Sequence, residues 1–187
     1  MSSVYFIRHA EPDYSISDDY LRCLTEEGHR QAWELTLYFQ NIHIDRIISS
    51  PYLRAIQTME PVARMKGMKI ETDIRFRERK SAGLYIPEDM FKGFAEKQWS
   101  NWNFKYEGGE SIIDVRHRYS EAFNEVISQG NQTVLIGSHI TGLCAFLTKY
   151  GVVKDFADFS RVREKKPWVI KITTSNDFTS VKEVILK

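Results

Sequence analysis

Short apolar segments typical of buried strands alternate along this chain with amphipathic helical segments. The predicted strands cover residues 3–7, 46–49, 69–73 and 132–138. The predicted helices begin near residues 26, 51, 111 and 141. This alternation predicts an α/β fold in which helices cover both faces of a mostly parallel sheet. We therefore expect a three-layer α/β/α sandwich.

Two alternating segments near the C-terminus, residues 168–173 and 180–186, are separated by the run Thr-Ser-Asn-Asp-Phe-Thr. Strands joined in this way form an antiparallel β-hairpin. The sheet should therefore be mixed rather than purely parallel. From residue 74 to about residue 109 neither a helical nor a strand periodicity is clear, so we expect this stretch to be irregular.

Capping residues mark three of the predicted helix starts. Thr25 stands at the position from which a side chain can cap the first helix. Ser50 is expected to cap the second helix, with Pro51 at the first helical position, where its missing N–H costs nothing. Ser111 and Asp114 have the spacing of a capping box. These signals support the helix assignments.

The length and composition of the chain exclude several classes of protein. The chain has 187 residues, which predicts a single domain over residues 1–187. Its net charge of +1 provides no broad basic surface for nucleic acid. Cys23 and Cys144 are isolated, which predicts neither a zinc site nor a disulfide. No segment approaches the roughly 18 apolar residues of a membrane span, so we expect a cytoplasmic protein with no membrane partner.

Polar side chains follow three of the predicted strands at the point where each strand ends. These are the pairs Arg8-His9, Ser49-Ser50 and Ser138-His139. The carboxyl ends of parallel strands meet at one edge of a sheet, where ligands bind in folds of this type. Arg54 would lie in the first turn of the helix that follows Ser50. Guanidinium groups and a helix N-terminus both bind phosphate oxygens, so the sequence predicts an anion pocket suited to a phosphoryl group.

A histidine in such a pocket can act as a nucleophile. The unperturbed pKa of imidazole, about 6.5, leaves much of the side chain neutral at neutral pH. Neutral imidazole can attack phosphorus directly. A carbonyl group must then accept a hydrogen bond from one ring nitrogen, so that the other nitrogen keeps its lone pair.

An ordered series of motifs extends from residue 4 to about residue 145. It comprises Arg8-His9-Ala10-Glu11-Pro12, Leu24-Thr25 with Gly28 and Gln31-Ala32, Ser49-Ser50-Pro51 with Arg54-Ala55 and Gln57-Thr58, Glu78-Arg79, Gly109-Glu110-Ser111, and Ser138-His139. In this order the motifs resemble those of the histidine phosphatase superfamily, also called the phosphoglycerate mutase-like family. The resemblance covers most of the chain.

The resemblance implies a role for each matching residue. His9 would take the phosphoryl group covalently, and Glu78 would donate a proton to the leaving oxygen and later activate water. Arg8, Arg54 and His139 would hold the phosphoryl oxygens and neutralise their charge. Neither a metal ion nor a cofactor is implied. The implied partner is a small phosphorylated substrate.

Three positions depart from the family pattern. Ala10 replaces the glycine usual after the nucleophile, which is tolerated where the backbone φ is negative. Ile140 replaces the glycine that often follows the second histidine and should alter one wall of the pocket. Ser15 stands where many members place a phosphate-contacting asparagine, so it is a further candidate phosphate ligand.

Several residues admit two interpretations. Glu11 and Glu110 compete with Glu78 for the role of the acid. The aromatic stretch at residues 99–106 fits either a substrate wall or the core. The basic run at residues 161–166 predicts a solvated loop rather than a nucleic-acid site, because it is short and the chain is nearly neutral.

Three functions are compatible with these residues. The first is a metal-independent phosphatase that hydrolyses a small phosphomonoester through a phosphohistidine on His9. The second is a mutase, which must exclude water between two half-reactions. The third is a phospho-ligand binder without turnover, which would be expected to lack a reactive residue. The short substrate-covering segment, at about residues 79–110, and the C-terminal hairpin in place of a long closing segment favour hydrolysis.

Overall fold

A mixed β-sheet lies at the centre of the molecule. The computed structural model describes residues 1–82, 88–175 and 178–186. The strands are β1 (Ser2–Arg8), β2 (Arg46–Ser49), β3 (Ile70–Thr72), β4 (Thr133–Ser138), β5 (Trp168–Ser175) and β6 (Phe178–Val184). Their order across the sheet is β3-β2-β4-β1-β5-β6. The first four strands are parallel to one another, and β5 and β6 are antiparallel to their neighbours. The predicted mixed sheet with its C-terminal hairpin is confirmed.

Helices cover both faces of this sheet. They are α1 (Glu26–Phe39), α2 (Leu53–Lys66), α3 (Glu88–Ser100), α4 (Ile112–Ser128), α5 (Ile140–Leu147) and α6 (Phe156–Arg163). Side chains alternate along β1: Val4 and Phe6 pack with residues of α3, α4, α5 and α6, whereas Tyr5 and Ile7 pack with residues of α1 and α2. The apolar run of β1 is therefore buried on both sides, and the three-layer α/β/α sandwich is confirmed.

The register of the parallel strands aligns their polar ends. Arg8 of β1 is paired with Ser138 of β4, and Ser49 of β2 is paired with Gly137. The hydrogen bonds continue one residue further, because the N–H of His9 donates to the Ser138 carbonyl at 3.0 Å and that of Ser50 donates to the Gly137 carbonyl at 2.9 Å. The three predicted strand endings thus meet at one edge of the sheet.

The caps of α1 and α4 form as predicted. The Thr25 hydroxyl accepts a hydrogen bond from the N–H of Gly28 at 3.0 Å. Ser111 and Asp114 make the reciprocal pair of bonds that defines a capping box. Both helices then bury an apolar stripe against the sheet.

The predicted start of α2 is wrong by two residues. This helix begins at Leu53, and Tyr52 rather than Ser50 precedes it without a side-chain cap. The Ser50 hydroxyl oxygen instead lies 2.7 Å from Nε2 of His139 and accepts a longer bond from the N–H of Tyr52, at 3.3 Å. Ser50 is therefore part of the polar edge and does not cap the helix.

The stretch predicted to be irregular contains the helix α3. The buried apolar side chains of α3 are those of Phe94, Ala95 and Trp99. Ala95 follows Phe94 directly and Trp99 comes four residues after Ala95, so the three lie on one face of the helix. This face packs on α6, where Trp99 stacks on Phe159 at a centroid distance of 5.2 Å. Residues 83–87 of the predicted covering segment, and residues 176 and 177 of the hairpin turn, lie outside the described residues.

The sequence analysis predicts a solvated loop for the basic run at residues 161–166, and the structure corrects this prediction. The run begins on α6 and continues to Lys166, which lines the same cleft as Arg8. The Arg8 guanidinium holds this turn in place, since its Nη1 donates to the carbonyl oxygen of Arg163 and, at 2.7 Å, to that of Lys165. The sequence offered no sign of this contact because it joins residues that are far apart in the chain.

Candidate active site

His9 follows β1 and is 4% exposed. Its Nδ1 lies 2.7 Å from the carbonyl oxygen of Ala10. A carbonyl oxygen only accepts hydrogen bonds, so Nδ1 carries the proton and Nε2 keeps a free lone pair. Burial, and then the charges of Arg54 and Arg8, lower the pKa of His9 well below its ordinary value. Both features favour the neutral imidazole with its proton on Nδ1.

His139 lies directly beside His9, with the two ring centroids 5.3 Å apart. It is fully buried, and its Nε2 makes the contact with the Ser50 hydroxyl. Within the described part of the chain its Nδ1 has no hydrogen-bonding partner. Burial, followed by the charge of Arg54, also lowers the pKa of His139 well below its ordinary value.

The two buried histidines predict a specific dependence of stability on pH. As pH falls through about 6.5, the unfolded chain binds protons at both residues while the folded chain does not, because their folded pKa values are depressed. The free energy of unfolding should therefore decrease from about pH 6.5 downwards, by up to about 1.4 kcal/mol per pH unit for each histidine. Urea unfolding at a series of pH values measures this slope.

The His9→Ala variant should lose about half of this slope above about pH 5, since it retains only His139. Replacement of the exposed His117 by alanine is the matched control and should leave the slope unchanged. A slope that is the same in the native protein and in His9→Ala would contradict the assignment of a neutral, buried His9.

Arg8 and Arg54 place two guanidinium groups at this edge, and they are 2% and 3% exposed. Nη1 of Arg54 donates to the carbonyl oxygen of Asp19 at 2.5 Å, and its Nη2 lies 3.2 Å from the Asp19 carboxylate. Nε of Arg8 has no partner within the described residues. Buried positive charge is costly unless an anion compensates it, so these groups form a pocket that favours an anion.

Glu78 provides a carboxylate on another side of the cleft. Its Oε2 accepts a hydrogen bond from the N–H of Thr141 and its Oε1 accepts one from the N–H of Gly142, both at 3.2 Å. These N–H groups belong to the first turn of α5, where the helix dipole also favours negative charge. Glu78 is thus held next to the strand ending that carries His139.

The two competing acids are engaged elsewhere. Glu11 forms an ion pair with Lys166 at 2.9 Å. Glu110 is bonded to Arg77 at 2.6 Å and to Arg118 at 2.8 Å. Glu78 lines the cleft together with His9, whereas neither competitor is among its described lining residues. This arrangement favours Glu78 over both alternatives.

A cleft of about 690 Å³ contains His9, Arg8, Arg54 and Glu78. Its described lining holds more cationic side chains than carboxylates, the cationic ones being Arg8, Arg22, Arg54, Arg79, Lys80, Arg163 and Lys166. The chain as a whole is nearly neutral, so positive charge is concentrated here and will attract anions. In the described ranges, no group of three or more histidine, cysteine, aspartate or glutamate residues is placed to hold a metal ion.

Ser15 is exposed, and its N–H donates to the Asp13 carboxylate at 2.9 Å. It is absent from the described lining of the cleft, which instead includes Ser17. Ser15 therefore remains only a predicted phosphate ligand.

The two substitutions next to the histidines have different consequences. Ala10 does not adopt a positive φ, so a glycine is not needed there, and its N–H donates to the Thr58 hydroxyl at 3.0 Å. Ile140 is the first residue of α5 and lines the cleft. Its side chain therefore adds an apolar wall that a glycine could not provide.

The aromatic side chains of residues 99–106 pack against the core or against one another, and Tyr106 is 46% exposed. Trp99 belongs to the main hydrophobic cluster and Trp102 packs against it. Phe104 and Tyr106 contact Phe94, at centroid distances of 6.2 and 5.2 Å. None of these residues is among the described lining of the cleft, so core packing, not a substrate wall, is the interpretation that holds.

Residues 4–183 match the family model of the histidine phosphatase superfamily (branch 1). The chain belongs to this superfamily. The histidine phosphatase motifs predicted from the sequence therefore lie in a chain that matches the family over nearly its whole length. In the part of the chain that the structure describes, no helix has both the length and the apolar character needed to cross a bilayer.

Two curated relatives show the range of the superfamily. The chain is 29% identical over 162 residues to phosphoserine phosphatase 1 of Hydrogenobacter thermophilus, covering 79% of this chain and 77% of the relative. It is 25% identical to the probable phosphoglycerate mutase GpmB of Proteus mirabilis, covering 100% and 98% of the two chains. The relatives of this chain thus include a protein named as a phosphatase and one named as a probable mutase.

Solved structures share the fold. The structure of Bacillus stearothermophilus YhfR superimposes with a TM-score of 0.81 at 21% identity and covers 98% of this chain and 96% of its own. The three-layer architecture given by the strand order and the two core clusters is therefore shared with this solved structure.

Proposed function

We propose that this protein is a metal-independent phosphatase that hydrolyses a small phosphomonoester through a phosphohistidine on His9. The observation that carries the proposal is the contact between Nδ1 of His9 and the Ala10 carbonyl. It fixes the tautomer in which Nε2 is the nucleophile. The same cleft contains Arg8, Arg54 and Glu78, whereas His139, the third predicted phosphate ligand, lies beside His9 but is not among the described lining residues.

In the first step Nε2 of His9 attacks phosphorus while the bond to the leaving oxygen breaks. Arg8 and Arg54 bind the phosphoryl oxygens, whose charge would otherwise oppose the attack. Glu78 transfers a proton to the leaving oxygen. The leaving group departs as an alcohol, and the Glu78 side chain becomes a carboxylate.

In the second step water attacks the phosphorus of phosphohistidine. The Glu78 carboxylate takes a proton from the water as the N–P bond breaks. Inorganic phosphate leaves, His9 returns to its neutral state and Glu78 is protonated again. The cycle therefore needs only one acid–base residue. Glu78 must lie within reach of both the leaving oxygen and the attacking water.

Access of water supports hydrolysis rather than mutase chemistry. The lining of the cleft includes side chains that are themselves open to solvent, such as Tyr14, which is 63% exposed, and Lys80. A mutase must keep water from its phosphohistidine, and these open walls do not favour that. A mutase remains the second candidate because the full-length relative from Proteus mirabilis carries that name.

The two candidates differ in the fate of the phosphoryl group. We expect the purified protein to release phosphate from p-nitrophenyl phosphate and from O-phosphoserine without a primer. With 3-phosphoglycerate, isomerisation that depends on a bisphosphoglycerate primer and releases no phosphate would contradict the proposal. Binding of phosphate that depends on Arg54, with no turnover of any monoester, would show a phospho-ligand binder instead.

Removal of metal ions should leave the rate of phosphate release unchanged. Arg8 and Arg54 supply the positive charge that a metal ion provides in other phosphatases. Dialysis against EDTA, followed by assay with p-nitrophenyl phosphate, checks this expectation. A large loss of activity that Mg²⁺ or Zn²⁺ restores would contradict a mechanism based on arginine alone.

A further inference from the structure

Arg118 lies on α4, is 9% exposed and belongs to a network that the reaction scheme does not use. Its Nη1 donates to the carbonyl oxygens of Arg75 and Arg77, at 2.6 and 2.8 Å. Its Nη2 donates to the carbonyl oxygen of Glu78 itself at 3.1 Å. One guanidinium group therefore binds three carbonyl groups within the four residues that end at Glu78.

Two neighbours complete this network. Glu110 accepts bonds from Nε and Nη2 of Arg118, at 2.8 and 3.0 Å, and its carboxylate also accepts from the N–H of Lys80 at 2.8 Å. The Tyr119 hydroxyl, one residue further along α4, donates to the carbonyl oxygen of Phe76 at 2.8 Å. The main chain on both sides of Glu78 is thus attached to the N-terminal half of α4.

We propose that Arg118 is a positioning residue for the proton transfer, because it fixes the main chain of Glu78 in front of α5. The Glu78 residue is held at two points. Its carboxylate accepts hydrogen bonds from the N–H groups of Thr141 and Gly142, and its main-chain carbonyl accepts one from Arg118. Arg118 does not itself line the cleft among the described residues. The inference rests on the proposed role of Glu78 as the acid.

The space around α5 supports this rigidity. A Cβ atom at Gly142 would lie 2.1 Å from the Tyr119 hydroxyl oxygen, so α4 and α5 approach each other as closely as a glycine allows. The segment that carries Glu78 is therefore attached to one helix while its carboxylate binds the next. A displacement of this segment would move the carboxyl group relative to the phosphoryl site, and about 1 Å of misplacement can cost 10²-fold in rate.

The dependence on the leaving group separates positioning from a purely structural role. p-Nitrophenolate departs as a stable anion and needs little protonation, whereas an alkoxide such as that of β-glycerol phosphate must receive a proton as it leaves. A misplaced Glu78 should therefore affect the alkyl ester selectively. General loss of folded enzyme would lower activity on both substrates equally.

The experiment compares kcat/KM for p-nitrophenyl phosphate and β-glycerol phosphate in Arg118→Met, Arg118→Lys and Glu78→Gln. We expect Arg118→Met to lose about 10-fold to 10²-fold more on the alkyl ester than on p-nitrophenyl phosphate, as Glu78→Gln does more strongly. Arg118→Lys should rescue little, because an ammonium group cannot bind all these acceptors. Arg116→Met, on the same helix beside Trp102, is the matched control and should show no selectivity.

A double variant adds a second criterion. Glu78→Gln with Arg118→Met should be no slower on the alkyl ester than Glu78→Gln alone, because both changes remove the same proton transfer. If Arg118→Met does not fold by circular dichroism, Tyr119→Phe and Glu110→Gln test the same network with smaller changes and should show the same selectivity.

If the folded Arg118, Tyr119 and Glu110 variants lose kcat/KM equally on both substrates while Glu78→Gln loses more on the alkyl ester, the proposed role of Arg118 is wrong and that of Glu78 stands. A Glu78→Gln variant without selectivity would overturn both this inference and the proposed acid. The two failures are therefore distinguishable.

Discussion

Replacing His9 with alanine should reduce phosphate release by about 10⁴-fold or more, because it removes the atom that forms the covalent bond to phosphorus. The imidazole is buried and neutral, and within the described part of the chain it is hydrogen-bonded to the neighbouring Ala10 carbonyl, so its loss leaves no buried charge. The variant should therefore fold. Steady-state assay with p-nitrophenyl phosphate and far-ultraviolet circular dichroism measure the two expectations.

His117→Ala serves as the control for this change. His117 is exposed and lies on α4 away from the cleft, so its replacement should leave the rate close to that of the native protein. Activity in folded His9→Ala within about tenfold of native would contradict the nucleophile assignment, since that loss is far below what removing a nucleophile costs.

Replacing Arg54 with methionine should lower kcat/KM by about 10²-fold to 10³-fold, because the transferring phosphoryl group loses one of its two buried guanidinium ligands. Asp19 holds Arg54 in place through two contacts. The Asp19 side chain is 48% exposed, so it stays solvated in the variant and the protein should remain folded. Inhibition by inorganic phosphate should weaken as well, since the same group binds the product.

Arg64→Met is the matched control for Arg54→Met. Arg64 lies on the same helix but is exposed in its last turn, and its removal should change neither kcat/KM nor inhibition by phosphate. If Arg54→Met and Arg64→Met both had the native kcat/KM, the substrate would not bind in the anion pocket.

The parts of the fold that the sequence predicted are those with strong local signals. The apolar run of β1 and the capping box of α4 each depend on residues within a few positions of one another, and both elements form as expected. The sequence analysis does not identify α3, because the charged and polar residues around Phe94, Ala95 and Trp99 obscure the apolar stripe that these three form. That spacing was present in the sequence and could have indicated a helix.

The candidate site shows the same division. The strand endings predicted that His9 and His139 would meet, because parallel strands place their carboxyl ends at one edge, and the register confirms it. Ser50 was assigned to a helix cap because a local motif gave no sign of its contact with His139. The hydrogen bonds from Arg118 to the carbonyl oxygens of Arg77 and Glu78 join residues that are 41 and 40 positions apart. Such contacts depend on the tertiary fold and leave no local pattern.

The proposed mechanism is tested most directly by trapping the intermediate. The native protein, mixed rapidly with radiolabelled phosphomonoester and quenched in alkali, should carry up to one phosphoryl group per chain. The label should be stable to alkali, labile to acid, located on the peptide that contains His9, and absent from His9→Ala. Label found on another residue, such as Ser50, or turnover by His9→Ala at the native rate, would contradict a phosphohistidine on His9.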